Sequence, residues 1–383
     1  MDNIAGSKSS LTWAVHISTL ALVILWLFPT VGLFVSSFRT ADQISASGWW
    51  KALFPSEQNL QLRTAGPEAQ VQEGDLYVIE GNLFTTEGID PAPIATYGIS
   101  SRDISAFTPG QTAELRRGGT VTVQENGDYR MENTEDFGGS RGQRIFITAE
   151  FPPEFTFANY DAMLFQERSE GMGRAFFNTL TVTIPATIIP ILVAAFAAYA
   201  LAWMDFPGRA LLVAFVVGLL VVPLQLALIP LLRLHLGIGI GKGYLGVWLA
   251  HTGFGLPLAI YLLRNYMVGL PKDIIENARV DGASEFQIFT KIILPLSFPA
   301  LAAFSIFQFL WTWNDLLVAR VFLIDASGQT TVMTNQIVEL LGTRGGNWEI
   351  LATAGFVSMA VPLAVFFLMQ RYLVRGLLAG SVK

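Results

Sequence analysis

The stretch ENARVDGASEFQIFTKIILP, residues 276–295, lies between two long apolar runs and yet carries Glu276, Arg279, Asp281, Glu285 and Lys291. Upstream, Pro271 suits the start of a helix, and Asp273 and Glu276 fall in its opening turns, where the helix dipole favours negative charge. Gly282 interrupts that helix. Ser284 and Gln287 have the spacing of a capping box, which starts a second helix whose Phe286, Phe289 and Ile293 recur along one face. Leu294-Pro295 is expected to end that helix and open the next apolar run. The segment therefore reads as a short helix, a turn and a second short helix, with an exposed apolar stripe flanked by charge. Such a stripe is costly to leave in water, so the expectation is a socketed contact with another protein.

The flanking sequence is built for lipid. The 383 residues are 52% hydrophobic and 14% charged, with a mean hydropathy of +0.48, whereas soluble domains carry about 25% charged residues. Six runs lack Asp, Glu, Lys and Arg: residues 11–38, 175–204, 210–232, 243–263, 292–314 and 350–370. Each reaches the roughly 20 helical residues that cross about 30 Å of hydrocarbon. Pro29, Pro185, Pro190, Pro223 and Pro257 lie inside these runs and mark expected kinks, which neighbouring helices can satisfy. The first run far exceeds the roughly 7–15 residues of a signal-peptide core and is expected to stay as an anchor. The expected fold is an all-α polytopic membrane protein with six transmembrane helices.

Charge adds orientation and exclusions. A net charge of −6 and a pI near 5.2 argue against a nucleic-acid partner. The chain has no cysteine, which removes disulfides, thiolate zinc sites and thiol nucleophiles. With the N-terminus cytoplasmic, the inner segments hold Lys8, Arg209, Arg264, Lys272, Arg279, Lys291, Arg371, Arg375 and Lys383, and the short outer loops only Arg233, Lys242, Arg320 and Arg344. Both termini are thus expected inside, in a multi-pass membrane protein. The expected division is residues 1–40, the first helix; 41–174, extracytoplasmic; and 175–383, a five-helix core with a loop at 264–294 and a cytoplasmic tail. Residues 41–174 differ in character, with strand-like runs "LYVIEGNLF", "GGTVTVQENGDYRM" and "RIFITAEF". Alternation in 120–123 before Asn126-Gly127 predicts a hairpin. Acidic residues outnumber basic ones 20 to 10 over residues 41–175, which suits either a solubilised surface or a docking face.

Two strings imitate catalytic motifs. "GIGIGKGY", residues 237–244, has Leu236 and Gly243 where a P-loop needs Gly and Ser or Thr, and reads as a turn between spans. "GGSRG", residues 138–142, lacks the preceding apolar strand and following helix of a nucleophile elbow. His16 and His251 lie within spans and read as packing residues, and Asp315 reads as an interfacial residue bracketed by Trp311 and Trp313 of an aromatic belt. An ion-coupled secondary transporter typically needs an intramembrane carboxylate or histidine to bind the coupling ion; the spans themselves hold no Asp or Glu, and their histidines read as packing residues. Composition alone leaves a non-transporting membrane receptor open.

The pattern Glu276-Asn277-Ala278, three residues, Gly282, nine residues, Ile292-Ile293-Leu294-Pro295 resembles the EAA motif of ATP-binding-cassette (ABC) importer permeases, with Asn277 in place of the first alanine. "VDGAS", "FTFANYDAML", "FFNTLTVTI", "WTWNDLLV" and "QRYLVRGLLAGSVK" are similar to the second permease subunit of maltose-type sugar importers, over roughly residues 11–40 and 151–383. Extra material at about residues 42–148 departs from ordinary members and resembles the long insertion of α-glucoside permeases. The resemblance implies a type I permease fold with a β-rich insertion between the first two helices, and a subunit that is not itself an enzyme. It implies a heterodimer with a second homologous permease, a dimer of ATP-binding subunits that hold the ATP and Mg, an extracytoplasmic sugar-binding protein and surrounding membrane lipid. No cofactor and no metal is expected on this chain. Glu276, Ala278, Asp281, Gly282, Ala283, Ile292, Leu294 and Pro295 would couple to the ATPase, and Arg375, Gly376 and Lys383 would reach its interface. Gly342, Thr343, Arg344 and Gly345 would contact the binding protein.

Overall fold

The computed structural model describes residues 10–116, 118–138, 141–165, 171–324, 326–343 and 347–378, and the chain divides into two compact units, Met1–Phe157 and Ala158–Lys383. The first unit begins with helix α1 (Ser10–Ser36), whose side chains are apolar all round and largely exposed, as a lipid-facing helix requires. Helix α2 (Ala41–Ala46) follows, with the Thr40 hydroxyl accepting from the Gln43 N–H. The buried Arg39 guanidinium donates to the carbonyls of Gln43 at 2.6 Å and Ser47 at 2.9 Å.

Eight strands make the rest of this unit: β1 (Ser56–Arg63), β2 (Val71–Glu73), β3 (Leu76–Asn82), β4 (Ile94–Gly98), β5 (Thr112–Glu114), β6 (Thr120–Val123), β7 (Asp128–Asn133) and β8 (Arg144–Phe151). They form two antiparallel sheets, in the orders β1-β8-β4 and β2-β3-β7-β6-β5. The two-residue period of a strand sorts the side chains, so Ile145, Ile147 and Ala149 of β8 and Val121 and Val123 of β6 enter one shared core. The expected hairpin is present as β6 and β7, with Gly127 at φ +88° in the turn. The run "LYVIEGNLF" stops being a strand at Asn82. There its side chain accepts from the Phe84 and Thr85 N–H groups and starts helix α3 (Leu83–Glu87). At the base of the first sheet Ser56 stands opposite Phe151, so the sheet region leaves and re-enters the chain at adjacent points.

The second unit is helical. Helix α4 (Ala158–Phe165) precedes the long α5 (Met172–Trp203), followed by α6 (Arg209–Leu219), α7 (Leu224–Gly237) and α8 (Tyr244–Val268). Beyond these lie α9 (Lys272–Val280), α10 (Glu285–Ile288), α11 (Leu294–Leu296), α12 (Phe298–Trp313), α13 (Leu317–Phe322), α14 (Met333–Thr343) and α15 (Trp348–Leu378). Across the described residues, α1, α5, α8 and α15 are each long and apolar enough to cross a membrane.

Two of the six expected runs are not straight. α6 and α7 meet at 109°, and the stretch from Glu285 to Leu296 meets α12 at 70°. The first break falls at Pro223, which has no N–H to offer the Leu219 carbonyl; the second falls at Ser297, just before Pro299, which has none for Pro295. Ile292 to Leu296 therefore continue the short helix instead of opening the next span at Leu294-Pro295, and α12 alone rises only about 24 Å over its 16 residues.

Candidate functional site

Helix α9 is short and strongly polarised, with Asp273 in its first turn and Arg279 in its last. Its stop is a Schellman motif. Gly282 N–H donates to the Arg279 carbonyl and Ala283 N–H to the Ala278 carbonyl, each at 3.0 Å, with Gly282 at φ +83°. That left-handed position is why glycine stands there, and a Cβ added to it would meet no atom within 4 Å. The next helix starts one residue on, and both bonds of the capping box form. Gln287 N–H donates to Ser284 Oγ at 3.3 Å, and Ser284 N–H to Gln287 Oε1 at 2.9 Å. From α10 the backbone passes through a π-helical turn, Phe289–Ile293, into α11.

The two faces of this helix pair differ. Ile275, Ile288, Phe289 and Ile293 pack with Ala194, Ala195 and Ala198 of α5, Ala259 and Leu263 of α8, and Leu301 and Phe304 of α12. Phe289 is 3% exposed and Ile293 0%, with the Phe289 ring 4.6 Å from Phe196 and 5.3 Å from Tyr199. The predicted exposed stripe of Phe286, Phe289 and Ile293 is thus corrected: two of the three are buried in the chain's own helices. What stays exposed is Phe286 at 66% and Val280 at 86%, on either side of the Gly282 turn. Among the predicted coupling residues, Glu276, Asp281, Gly282 and Pro295 are exposed, Ile292 is half-buried, and Ala278, Ala283 and Leu294 are half-buried against the bundle core. Among the described residues Glu276 pairs with the tip of Lys272, at 4.0 Å, and both side chains are well exposed.

A link that the sequence reading did not single out ties the turn to α5. Arg279 Nε donates to Glu285 Oε1 at 3.0 Å and its Nη2 to the Trp203 carbonyl at 3.1 Å, while the Tyr199 hydroxyl donates to Glu285 Oε2. The Tyr199 and Arg279 hydrogen bonds hold the Glu285 carboxyl below its ordinary pKa, and the Glu285 partner raises that of Arg279. The local signal for this link was an opposite charge pair straddling a glycine turn.

Elsewhere, the Asp315 side chain is 8% exposed, beyond an exposed Trp311 and a buried Trp313. Its carboxylate accepts from the N–H groups of Val318 at 3.3 Å and Ala319 at 2.9 Å, capping α13, and lies 3.7 Å from His251 Nε2. Trp313 is buried too, donating to the Ser358 carbonyl at 2.9 Å. The segment between α13 and α14 is pinned by Asn178, which donates to the carbonyls of Gln329 and Thr331, both at 2.8 Å. Gly342 and Thr343 close α14; Arg344 and Gly345 lie outside the described residues. Arg375 and Gly376 are in the backbone of α15, and Lys383 lies outside the described residues.

Residues 172–378 match the family model of the binding-protein-dependent transport system inner membrane component. The chain is 60% identical over 381 residues, 98% of each sequence, to the alpha-glucoside transport system permease protein AglG of Rhizobium meliloti (strain 1021). It is 59% identical over 230 residues to the osmoprotective compounds uptake permease protein GgtD of Synechocystis sp. (strain ATCC 27184 / PCC 6803 / Kazusa), covering 60% of this chain and 76% of that one. Among solved structures it is similar to a bacterial ABC transporter involved in the import of the acidic polysaccharide alginate, at 17% identity and a TM-score of 0.46, over 58% of this chain and 85% of that one.

Proposed function

The chain belongs to the family of binding-protein-dependent transport system inner membrane components, and from that membership we propose that residues 276–295 are where an ATP-hydrolysing partner pushes on it. The chain is a permease subunit of an ABC sugar importer, a transport component and not an enzyme. Its substrate class is α-glucosides. The match to an alpha-glucoside permease runs through 98% of both chains, insertion included, whereas the nearly equal identity to an osmoprotectant permease covers 60% of this one.

The observation that carries the mechanism is the two-faced helix pair. Glu276, Val280, Gly282 and Phe286 face outward around one rigid turn, and the opposite face is packed on α5, α8 and α12. A partner that seats the turn therefore moves three long helices together, which a loose loop would not transmit. In this reading a dimer of ATP-binding subunits holds the ATP and Mg, with Glu276 facing a basic residue of one of them. A second homologous permease completes the path, and a sugar-binding protein docks outside near Gly342–Thr343. Six spans, namely α1, α5, the bent α6–α7 pair, α8, α12 and α15, with cytoplasmic termini and an extracytoplasmic 41–174, complete the arrangement; Arg375, Gly376 and Lys383 lie on the ATPase side.

Proteoliposomes holding the whole importer test this directly. Uptake of labelled α-glucosides should need ATP inside and the binding protein outside, and should persist when a proton gradient is collapsed. Uptake that follows the proton gradient and ignores ATP refutes the reading.

A further inference from the structure

The sheet-bearing insertion is acidic overall, yet its basic residues are gathered. Of the ten basic side chains in residues 41–175, five line a single cavity of about 950 Å³: Arg63, Arg102, Arg116, Arg141 and Arg144. Asp136 is the one acidic residue in its described wall. The five arrive from separate places. Arg63 closes β1, Arg102 lies between β4 and β5, Arg116 between β5 and β6, and Arg141 and Arg144 precede and open β8.

None of the five makes an ion pair among the described residues. Arg130 of the same domain, by contrast, is ringed by Glu73, Glu80 and Glu132. Within the set, Arg63 and Arg144 stand directly opposite each other in the β1–β8 ladder. Residues so paired share a face with Cβ atoms about 4.5–5.5 Å apart, and like charges there repel. Arg63 finds one carbonyl, that of Gly142 at 3.1 Å. Among the described residues the wall therefore holds five guanidinium groups against one carboxylate.

We propose that this cavity binds a small organic molecule bearing two or more carboxylates or phosphates. Guanidinium groups are planar forks that match such oxyanions two bonds at a time. Ile99, Leu115 and Phe137 in the same wall offer apolar surface to a carbon skeleton. The volume matches that of small-molecule sites, about 300–1,000 Å³, and a protein partner would instead need a face of about 800 Å². The site lies wholly in the insertion, so it stands or falls separately from the transport reading.

The test is calorimetric titration of the importer containing the full chain, in non-ionic detergent at low salt, with citrate and with fructose 1,6-bisphosphate. Saturable binding of at least one probe is expected, and which one binds identifies the oxyanion. Arg102→Gln with Arg141→Gln, neither of whose guanidinium groups has a hydrogen-bond or ion-pair partner among the described residues, should weaken it by about tenfold or more. Lys51→Gln, a basic residue outside the wall, should leave it unchanged, and maltose should not compete. An unfolding midpoint equal to that of the unsubstituted importer shows that the double variant is folded; if it falls, Arg102→Lys alone is used and should weaken binding by loss of the fork. Failure of both probes to saturate, or an affinity that the arginine substitutions do not change, overturns the proposal.

Discussion

Gly282→Asn and Gly282→Ala separate the two roles that a glycine in this turn can have. Gly282 sits at φ +83°, and an added Cβ meets no atom within 4 Å, so within the chain a substitution costs strain and no clash. For an ordinary residue the left-handed conformation costs roughly 1–2 kcal/mol. Asparagine tolerates it better. Against a folding stability of about 5–15 kcal/mol the alanine variant stays folded, but a loss of that size shifts the local turn equilibrium by a factor of about 5–30. If the turn alone matters, Asn behaves nearly as the unsubstituted chain, while Ala and Trp are impaired alike. If an ATP-binding subunit sits against the open space over Gly282, side-chain bulk adds its own penalty, and coupling falls in the order Gly, Ala, Asn, Trp. Sugar uptake per ATP hydrolysed in proteoliposomes reads coupling, co-purification of the ATP-binding subunits reads docking, and the unfolding midpoint reads strain. A Gly282→Trp variant that inserts normally and transports at the rate of the unsubstituted importer refutes docking at this turn.

Other consequences are open to measurement. Glu285→Gln removes the Arg279–Glu285 ion pair and the carboxylate that Tyr199 of α5 bonds, leaving Arg279 on the Trp203 carbonyl; because the ion-paired side chains are half-exposed that pair should be worth only about 0–1 kcal/mol, while uptake per ATP should fall, and equal coupling would remove Glu285 from the mechanism. Since the folded Glu285 carboxyl titrates below its ordinary value of 4.5, its contribution is present above that pH and is lost as pH falls through the depressed value; unfolding of the parent chain and Glu285→Gln should therefore converge in acid and stay apart at neutrality. Asp315→Ala should cost about 0.5–2 kcal/mol as a lost helix cap, read as a lower midpoint with the chain still inserted. Arg130→Ala leaves Glu73, Glu80 and Glu132 facing one another, so the sheet domain should unfold earlier and recover partly in high salt, where the repulsion is screened.

The helix pair at residues 272–296 was legible because its signals are local: a proline before the first turn, glycine at the stop, and Ser284 three residues before Gln287. Burial on that pair was not legible. Periodicity says that Phe286, Phe289 and Ile293 share a side, but whether that side meets water, a partner or the chain's own α5 depends on contacts distant in sequence. Tyr199 and Glu285 are 86 residues apart, so their bond left no trace in any window. The prolines show the same limit. Pro185, Pro190 and Pro257 stay inside α5 and α8, whereas the chain breaks at Pro223 and just before Pro299. At Asp315 the tryptophan spacing could not say which ring faces outward: Trp311 is exposed while Trp313 points into the bundle, and Asp315 caps the following helix.

The insertion's strand pairing explains how a permease can carry it. Ser56 and Phe151 are cross-strand neighbours, so the Cα atoms flanking the inserted chain lie only about 4.5–5.5 Å apart. A domain whose ends meet demands little of the chain that hosts it. Its core closes within the sheets: Leu62, Ile79, Tyr97, Val121, Ile145 and Ile147 pack with one another, and among the described residues that cluster is drawn from the sheet region alone. Removing residues 57–150 and joining Ser56 to Phe151 through a short Gly-Ser linker therefore takes away a complete core and leaves the helical ones whole. The shortened chain should still insert and still bind its ATP-binding subunits, because the Gly282 turn and its packing are untouched. Loss of both would mean that the helical unit depends on the sheets for its folding, and the grafted-domain reading would fail.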